Sequence, residues 1–391
     1  MLTRFFDWLV EFWDRLRGML GLHRLTKKGR GADLEGVTVL KRIVYFGRPI
    51  LVLLILVYVG TMVWRFSFVR GYDLGYPQEV LTAPAVSGIE TAAAGQGEAT
   101  GRTCAPSRIV QMQQALIDML VNQNDWAPAT PQYRIGVFGL LPWSQTPFFD
   151  NKASFQVGVL TALRRVSIEL TDTLGRVRGT SGADPDLEAA RGELQRDELT
   201  WVINPFDDRR PFISDTAASS YRNAISLFER YNGRLAACDA LFDARADNLF
   251  QLFDRITKDL GSTVDQIASR SQGEVYDVET HSFVDGDGND WGWFDMRADN
   301  LFHEASGKMY AYHGILQAAR EDFAEVIRNR NIGDVWDRME AHTAEAAALS
   351  PLIVSNGRED GFAMPDHLSV MAENILSARA NMTEIREILD R

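Results

Sequence analysis

Two apolar segments of different pattern open the chain. Over residues 2–22, apolar and charged positions recur at three- and four-residue spacing, which places large aromatic side chains on one face. Residues 43–64 read IVYFGRPILVLLILVYVGTMVW and hold a single charge, Arg48. As a helix this stretch spans ~33 Å, enough for a hydrocarbon core of ~30 Å. The pattern predicts an amphipathic helix lying on a membrane surface, then a transmembrane helix over residues 43–65.

Basic residues set the predicted direction of that helix. Residues 23–42, just before it, hold Arg24, Lys27, Lys28, Arg30, Lys41 and Arg42, whereas only Arg65 and Arg70 follow it closely. The positive-inside rule therefore predicts a cytoplasmic tail over residues 1–42, with the rest of the chain on the far side of the bilayer. No small-residue cleavage motif follows the apolar stretch, which favours an uncleaved signal anchor.

Beyond the span, glycine and proline predict a linker over residues 66–107, and helical periodicity then continues through residues 108–391. The predicted fold class is all-α, a helical bundle. Its longest stripe runs from Thr216 to Ile267 and predicts a long central helix, either a bundle core or a coiled-coil seam. Further helices are predicted over 296–329, 332–349 and 366–389. The proline-rich stretch 126–150 predicts a hairpin-like turn region.

Charge is unevenly placed along the chain. The net charge is −12, yet residues 1–48 carry ten Lys and Arg against five Asp and Glu, so the remainder is strongly acidic. An acidic domain repels phosphates, and we therefore expect no nucleic-acid partner.

An internal repeat supplies the first candidate site. Residues 243–250 read DARADNLF and residues 295–302 read DMRADNLF, so seven of eight positions match. We expect two helices placed equivalently, whose polar residues form one buried network, namely Arg245, Asp247, Asn248, Arg297, Asp299, Asn300 and the nearby His303. A structural network of Arg–Asp pairs is the favoured interpretation. An enzyme site with His303 as base is the alternative.

A second candidate is the acidic loop DGDGNDWG. Asp285, Asp287 and Asn289 alternate as the oxygen ligands of calcium loops do. An EF-hand needs Gly at its sixth position and Glu at its twelfth, where this chain has Asp290 and Met296. We therefore favour an acidic turn and expect no cofactor, with calcium as the alternative.

Three segments together carry a family resemblance. These are the two RADNLF copies, the run FFDNKASFQVGVLTALRRVSIEL from residue 148, and SPLIVSNGREDGF followed by DHLSVMAENILSARANMTEIREIL from residue 350. They resemble the bacterial inner-membrane family called domain of unknown function number twenty-three thirty-three. The resemblance implies an inner-membrane protein with a periplasmic domain, and it implies no particular activity.

The two cysteines, Cys104 and Cys238, fall on that far side. An oxidising periplasm favours a disulfide between them. The apolar stripe around Cys238 equally suits a buried free thiol, so the sequence leaves both states open.

These patterns favour an interaction or scaffold protein of the cell envelope. Its expected partners are the lipid bilayer and envelope proteins or further copies of itself. A periplasmic enzyme built around the RADNLF repeat and a sensor of calcium or a small ligand are the alternatives.

Overall fold

The computed structural model describes residues 38–66, 69–84, 104–136, 150–176, 182–201, 215–271, 274–277, 282–285, 296–351, 354–355 and 366–391. The chain divides into two compact units, one ending at Trp64 and the other beginning at Arg65. The predicted amphipathic helix over residues 2–22 lies outside the described residues.

The first unit contains most of helix α1, Thr38–Phe66, which covers the segment predicted to cross a membrane. Its apolar side chains from Ile50 onward are mostly exposed. Leu53 is 56% exposed, Leu56 is 63% exposed and Trp64 is 66% exposed. By length and hydropathy taken together, none of the helices in the described ranges meets the requirement for a membrane-crossing segment.

The second unit is helical, which confirms the predicted all-α class. Its described α-helices are α2 (Tyr76–Thr82), α3 (Arg108–Asp118), α4 (Pro131–Ile135), α5 (Asn151–Glu169), α6 (Pro185–Leu194), α7 (Ala217–Ala236), α8 (Ala246–Ser271), α9 (Met296–Asp322), α10 (Ala324–Arg330), α11 (Gly333–Ala348) and α12 (His367–Leu389). One π-helical turn, Met119–Gln123, extends α3, and another, Leu170–Leu174, extends α5. A two-stranded antiparallel hairpin, β1 (Glu274–Asp277) and β2 (Ser282–Asp285), lies between α8 and α9.

Helix α9 occupies the centre of the bundle. It packs against α5 in the most extensive helix pair of the described structure, and it also contacts α3, α11 and α12. Most of its positions from Ala305 to Ala319 are buried, which explains why a helix with several polar residues shows little amphipathic pattern. The central helix is therefore not the one that the sequence predicted.

The predicted long helix from Thr216 to Ile267 is wrong as a single element. Helix α7 ends at Ala236, α8 begins at Ala246, and Cys238 between them adopts a left-handed conformation with φ of 64°. The backbone N–H of Asp239 donates to the carbonyl of Arg234 at 2.8 Å, which closes the end of α7. The apolar rhythm continues through this break, so periodicity alone does not reveal it.

The segment that follows α1 is part of the folded core over residues 69–84. The ring of Tyr76 stacks on Tyr310 of α9, with centroids 4.5 Å apart, and its hydroxyl donates to the carbonyl of Tyr310 at 2.8 Å. The side chain of Asn124 exchanges two hydrogen bonds with the backbone of Arg70, each 2.8 Å long. The prediction of a linker over residues 66–107 is therefore wrong for this part.

The proline-rich stretch also differs from its prediction. Residues 127–129 form a 3-10 turn and Pro131–Ile135 form the short helix α4, with no strand in the described residues 126–136. Each of the two begins with a proline in its first turn, where the missing N–H costs nothing.

Candidate functional site

The first RADNLF copy forms the approach to helix α8. Arg245 precedes the helix, is exposed, and pairs with Asp243 at 2.5 Å and with Asp247 at 3.9 Å. Asn248 is buried and donates from Nδ2 to the carbonyl of Asp243 at 2.8 Å. The ion pairs of Arg245 in the described structure thus stay within its own copy, and the prediction of a buried network is wrong for Arg245.

The second copy forms the first turns of α9. The backbone N–H of Asn300 donates to Oδ1 of Asp299 at 2.8 Å, just as Asn248 donates to Asp247 at 3.0 Å. Both copies therefore start a helix with the same Asp–Asn contact. Their burial differs, because the first copy buries its Asn whereas the second buries its Asp. The side chain of Arg297 lies outside the described residues.

His303 lies one turn beyond Asp299, half-buried, with its ring edge-on to Phe302 at 5.5 Å. Burial lowers the pKa of its imidazole to about 4. A histidine with so low a pKa stays neutral at pH 7. It takes no part in the ion pairs of Arg245 among the described contacts.

The structure also brings together a serine and a histidine that the sequence analysis did not single out. Oγ of Ser355 lies 3.0 Å from Nδ1 of His367, and the backbone N–H of Ser355 donates to the same nitrogen at 3.1 Å. Ser355 is only 3% exposed. The pair holds the start of α12 against residue 355. It is a structural contact, because the buried serine is not an accessible nucleophile.

An open cleft lies beside the cysteines and is a candidate site. Its volume is about 640 Å³, within the usual range for ligand clefts. The structure joins Cys104 and Cys238 by a disulfide whose Cα atoms are 5.3 Å apart, and both cysteines line the cleft. Its other lining residues are Ala105, Pro106, Ser107, Leu235, Ala240, Leu241, Phe242, Asp243, Ala244, Arg245, Glu321, Asp322 and Glu325.

Asp322, the last residue of α9, holds one wall of the cleft in place. Its carboxylate accepts the hydroxyl of Ser107 at 2.7 Å and the backbone N–H groups of Arg108 and Ile109 at 2.8 and 3.0 Å. Burial raises the pKa of Asp322 to about 6, although these three donors act in the opposite direction. The carboxylate also faces the N-terminus of α3, where a negative charge is favoured.

Asn232 of α7 holds the same segment from the other side. Its side chain accepts the backbone N–H of Ser107 and donates to the carbonyl of Ser107, both at 3.0 Å. The disulfide, Asn232 and Asp322 therefore fix residues 104–109 between α7 and α9. Sequence reasoning missed Asn232 and Asp322, because each acts on a residue more than a hundred positions away.

Carboxylates outnumber basic groups in the lining of the cleft, although Asp243 pairs with Arg245 and Glu321 pairs with Arg108. Asp243, Glu321 and Glu325 line the cleft, and Arg245 is the one basic residue among its lining side chains. Apolar surface from Phe242 and Leu241 adjoins these carboxylates. Such a lining can bind a partner that presents Lys or Arg beside an apolar side chain.

The predicted calcium loop lies almost wholly outside the described residues. Asp287 and Asn289 lie outside the described residues, as does the side chain of Asp285, whose backbone ends β2. Within the ranges that the structure describes, no group of three or more His, Cys, Asp or Glu side chains is arranged to hold a metal.

Comparison with known proteins identifies the family. The profile of DUF2333, described as an uncharacterized protein conserved in bacteria, matches residues 141–391. The match covers more than half of the chain, which therefore belongs to this family, and the resemblance seen in the sequence is confirmed. No curated protein and no solved structure matches the chain significantly.

Proposed function

We propose that this member of the family is a membrane-anchored interaction protein of the bacterial cell envelope. A single transmembrane helix would hold a helical binding domain in the periplasm. The observation that carries the proposal is the exposure of large apolar side chains along α1, where Ile50, Leu51, Leu53, Leu54 and Leu56 are each 56–63% exposed.

Exposure of this kind is costly in water. Burying a leucine side chain stabilises it by about 1.5–3 kcal/mol, so a run of exposed leucines needs an apolar environment. The described side chains of α1 begin at Ile50, and the preceding sequence adds IVYFGRP from Ile43. Together they supply the roughly 20 apolar residues that a membrane helix requires.

Two further observations support the periplasmic side for the domain. The excess of Lys and Arg before α1 favours a cytoplasmic N-terminus. The disulfide between Cys104 and Cys238 suits a compartment that oxidises thiols, which the bacterial cytoplasm does not.

The interaction role rests on the cleft beside the disulfide. Fixed walls and an acidic rim favour a protein partner with a basic, partly apolar segment, since complementary charge provides specificity and speeds association. The partner would be another envelope protein or a second copy of this chain.

Extraction of membranes with alkaline carbonate tests the anchor. We expect the full-length chain to stay in the membrane pellet, and a Leu54→Arg/Leu56→Arg variant to be released, because each arginine at the centre of a span costs about 2.5–3.5 kcal/mol. A Leu199→Arg/Leu376→Arg variant is the matched control, since both leucines are exposed on the second unit. Release of the unmodified chain would contradict the anchor.

A reporter fusion tests the direction. Alkaline phosphatase fused after Arg391 is expected to be active, because that enzyme needs an oxidising compartment to form its disulfides. Activity of a cytoplasmic reporter alone at this position would place the domain on the other side of the membrane.

Crosslinking and pull-down from native membranes test the interaction. A Glu321→Lys/Glu325→Lys variant, which reverses the charge of the cleft rim, is expected to lose the partners that the unmodified chain captures. A Glu345→Lys/Glu387→Lys variant is the control, because both residues are exposed and neither lines the cleft. Equal capture by all three proteins would remove the cleft from the proposal.

A further inference from the structure

The disulfide between Cys104 and Cys238 lies on the surface of the cleft. Both cysteines line it, and Cys238 is exposed whereas Cys104 is half-buried. The cleft is open and holds about 640 Å³, which is room for a side chain of another molecule to reach the sulfur atoms. Exposed disulfides are reduced more readily than buried ones, and they are the ones that serve regulatory or catalytic roles.

Cys238 occupies a backbone position at which glycine is usual. Its φ is 64°, its N–H donates to the carbonyl of Leu235 at 3.1 Å, and the N–H of Asp239 donates to the carbonyl of Arg234 at 2.8 Å. These two bonds form the Schellman motif at the end of α7, whose left-handed residue is most often glycine. A side chain in this conformation costs free energy that glycine avoids. The presence of cysteine here therefore indicates a role for its thiol group.

The segments that the disulfide joins are also held by other contacts. Asn232 and Asp322 together make five hydrogen bonds to residues 107–109. On the other side of the bridge, the hydroxyl of Tyr231 donates to the carbonyl of Leu241 at 2.6 Å. The walls of the cleft therefore keep their hydrogen bonds when the disulfide opens, so the bridge can be reduced and formed again in a folded chain.

The charge of the cleft determines which thiols approach the disulfide. Its lining includes four carboxylates and one guanidinium group, and Arg108 adds a second guanidinium through its ion pair with Glu321. The attacking species in thiol–disulfide exchange is the thiolate anion. An acidic lining repels a thiolate that carries further negative charge, and it attracts one that has a cationic group beside it. The cleft therefore selects thiols with a neighbouring positive charge.

We propose that this disulfide is a thiol-exchange site for a protein that presents a cysteine beside Lys or Arg. The partner's thiolate attacks Sγ of Cys238, the bond to Cys104 breaks, and Cys104 leaves as a thiolate that takes a proton from water. The partner is then bound by a mixed disulfide. A second thiolate of the partner attacks the partner's sulfur in that bond, which releases the reduced chain and leaves the partner oxidised. Two electrons thus pass from the partner to this protein.

This inference rests on the interaction role proposed for the cleft, and it adds a covalent step to that role. Reaction of the purified full-length chain with two small thiols tests the step directly. Cysteamine is cationic and 2-mercaptoethanesulfonate is anionic. Thiols that appear on the protein are trapped with iodoacetamide and assigned to Cys104 or Cys238 by mass spectrometry.

We expect both thiols to open the disulfide of the folded chain, with cysteamine the faster. The same two reactions with the denatured chain give the ratio of the intrinsic reactivities. At low ionic strength, the ratio of cysteamine to sulfonate rates in the folded chain should exceed that reference by about tenfold. A disulfide that neither thiol opens unless the chain is denatured would overturn the proposal.

Reversal of the lining charge tests the selection. A Glu321→Lys/Glu325→Lys variant is expected to lose the preference for cysteamine, because two of the carboxylates become cations. A Glu345→Lys/Glu387→Lys variant is the matched control and should keep the preference, since both residues are exposed and neither lines the cleft. The same preference in all three proteins would contradict selection by the cleft and overturn the proposal.

Single-cysteine variants test the protein partner. In native membranes, Cys104→Ser leaves the exposed thiol of Cys238, and it is expected to form mixed disulfides that non-reducing gels resolve. Cys238→Ser is expected to capture several-fold less. Mass spectrometry should place the captured cysteines beside Lys or Arg. Equal capture by the two variants would overturn the proposal. Partners that crosslink to the unmodified chain while neither variant forms a mixed disulfide would also overturn it, and would leave the interaction role in place.

Discussion

Gly158 of α5 lies against the backbone of α9, and Gly307 of α9 lies against the backbone of α5, where the two helices cross. A Cβ atom on Gly158 would overlap the carbonyl oxygen of Glu304, and a Cβ on Gly307 would overlap the carbonyl oxygen of Phe155. Each glycine therefore lets the opposite backbone approach where any side chain would obstruct it. This close approach explains why α5 and α9 form the most extensive helix pair in the described structure.

Replacement of either glycine by alanine is expected to destabilise the domain. The obstructing atoms are backbone, which cannot rotate away, so Gly307→Ala should lower the free energy of unfolding by about 3 kcal/mol. Chemical denaturation measures the change. Gly192→Ala is the control, since Gly192 lies on α6 with no atom near its Cβ position. It should stabilise by about 0.5–1 kcal/mol through helix propensity, and a similar loss in both variants would contradict the close contact.

Substitutions of Arg255 and Arg245 compare the stability contribution of a buried ion pair with that of an exposed one. Arg255 pairs with Glu169, whose side chain is 3% exposed. Arg255→Ala leaves that carboxylate buried without a counterion, and we expect a loss of about 3–5 kcal/mol. Arg245 is exposed and pairs with neighbours on its own segment. Arg245→Ala is expected to melt close to the unmodified protein, and the reverse order would show that the repeat holds the bundle together.

Local patterns in the sequence predicted several helices well. The predicted segments 332–349 and 366–389 match α11 and α12, and Asp366 accepts the backbone N–H of Ser369 as a helix cap does. Each of these boundaries depends on residues within one helical turn, which a single sequence contains.

Long-range contacts account for what the sequence did not reveal. The break lies at Cys238, which a disulfide joins to a residue 134 positions away, and no Gly or Pro marks it. Asp150 and Asp299 lie at the starts of two helices far apart in the chain, and the charge of Asp299 contributes to the raised pKa of Asp150. The RADNLF repeat indicated two similar helix starts, but it did not show that one copy buries Asn and the other Asp.

Removal of the disulfide is expected to weaken the domain without freeing the segment that it holds. A Cys104→Ser/Cys238→Ser variant should lose about 2–5 kcal/mol in unfolding free energy, since the bridge closes a long loop. Asn232 and Asp322 still bind Ser107 in the folded variant. A reducing agent should destabilise the unmodified protein and leave the variant unchanged. Two reactive thiols in denatured, unreduced protein would show that the bridge does not form.

His303 and Asp150 are expected to have opposite effects on how the stability of the protein changes with pH below neutrality. Burial lowers the pKa of His303 to about 4, against the usual 6.5 of a histidine, so the unfolded chain binds a proton that the folded chain rejects. Stability from this histidine is complete above pH 6.5 and is lost as the pH falls toward 4. Asp150 has the opposite sign below pH 8, because its pKa is raised, and the two effects partly cancel between pH 4 and 6.5.

The variant His303→Gln removes the pH-dependent contribution of the histidine to stability. Between pH 7 and pH 5, His303 should cost the unmodified protein about 2 kcal/mol in unfolding free energy, and the variant should not show this loss. Each pH unit between the pKa of the histidine in the folded chain and its pKa in the unfolded chain contributes about 1.4 kcal/mol. Denaturant titrations at the two pH values give that difference, and any cost of replacing the ring cancels because it is the same at both. His342→Gln is the control, because His342 pairs with Glu345 near the surface of α11. A His303→Gln protein whose stability changes by the same amount as the unmodified protein between pH 7 and 5 would show that the imidazole takes up a proton equally well in the folded chain.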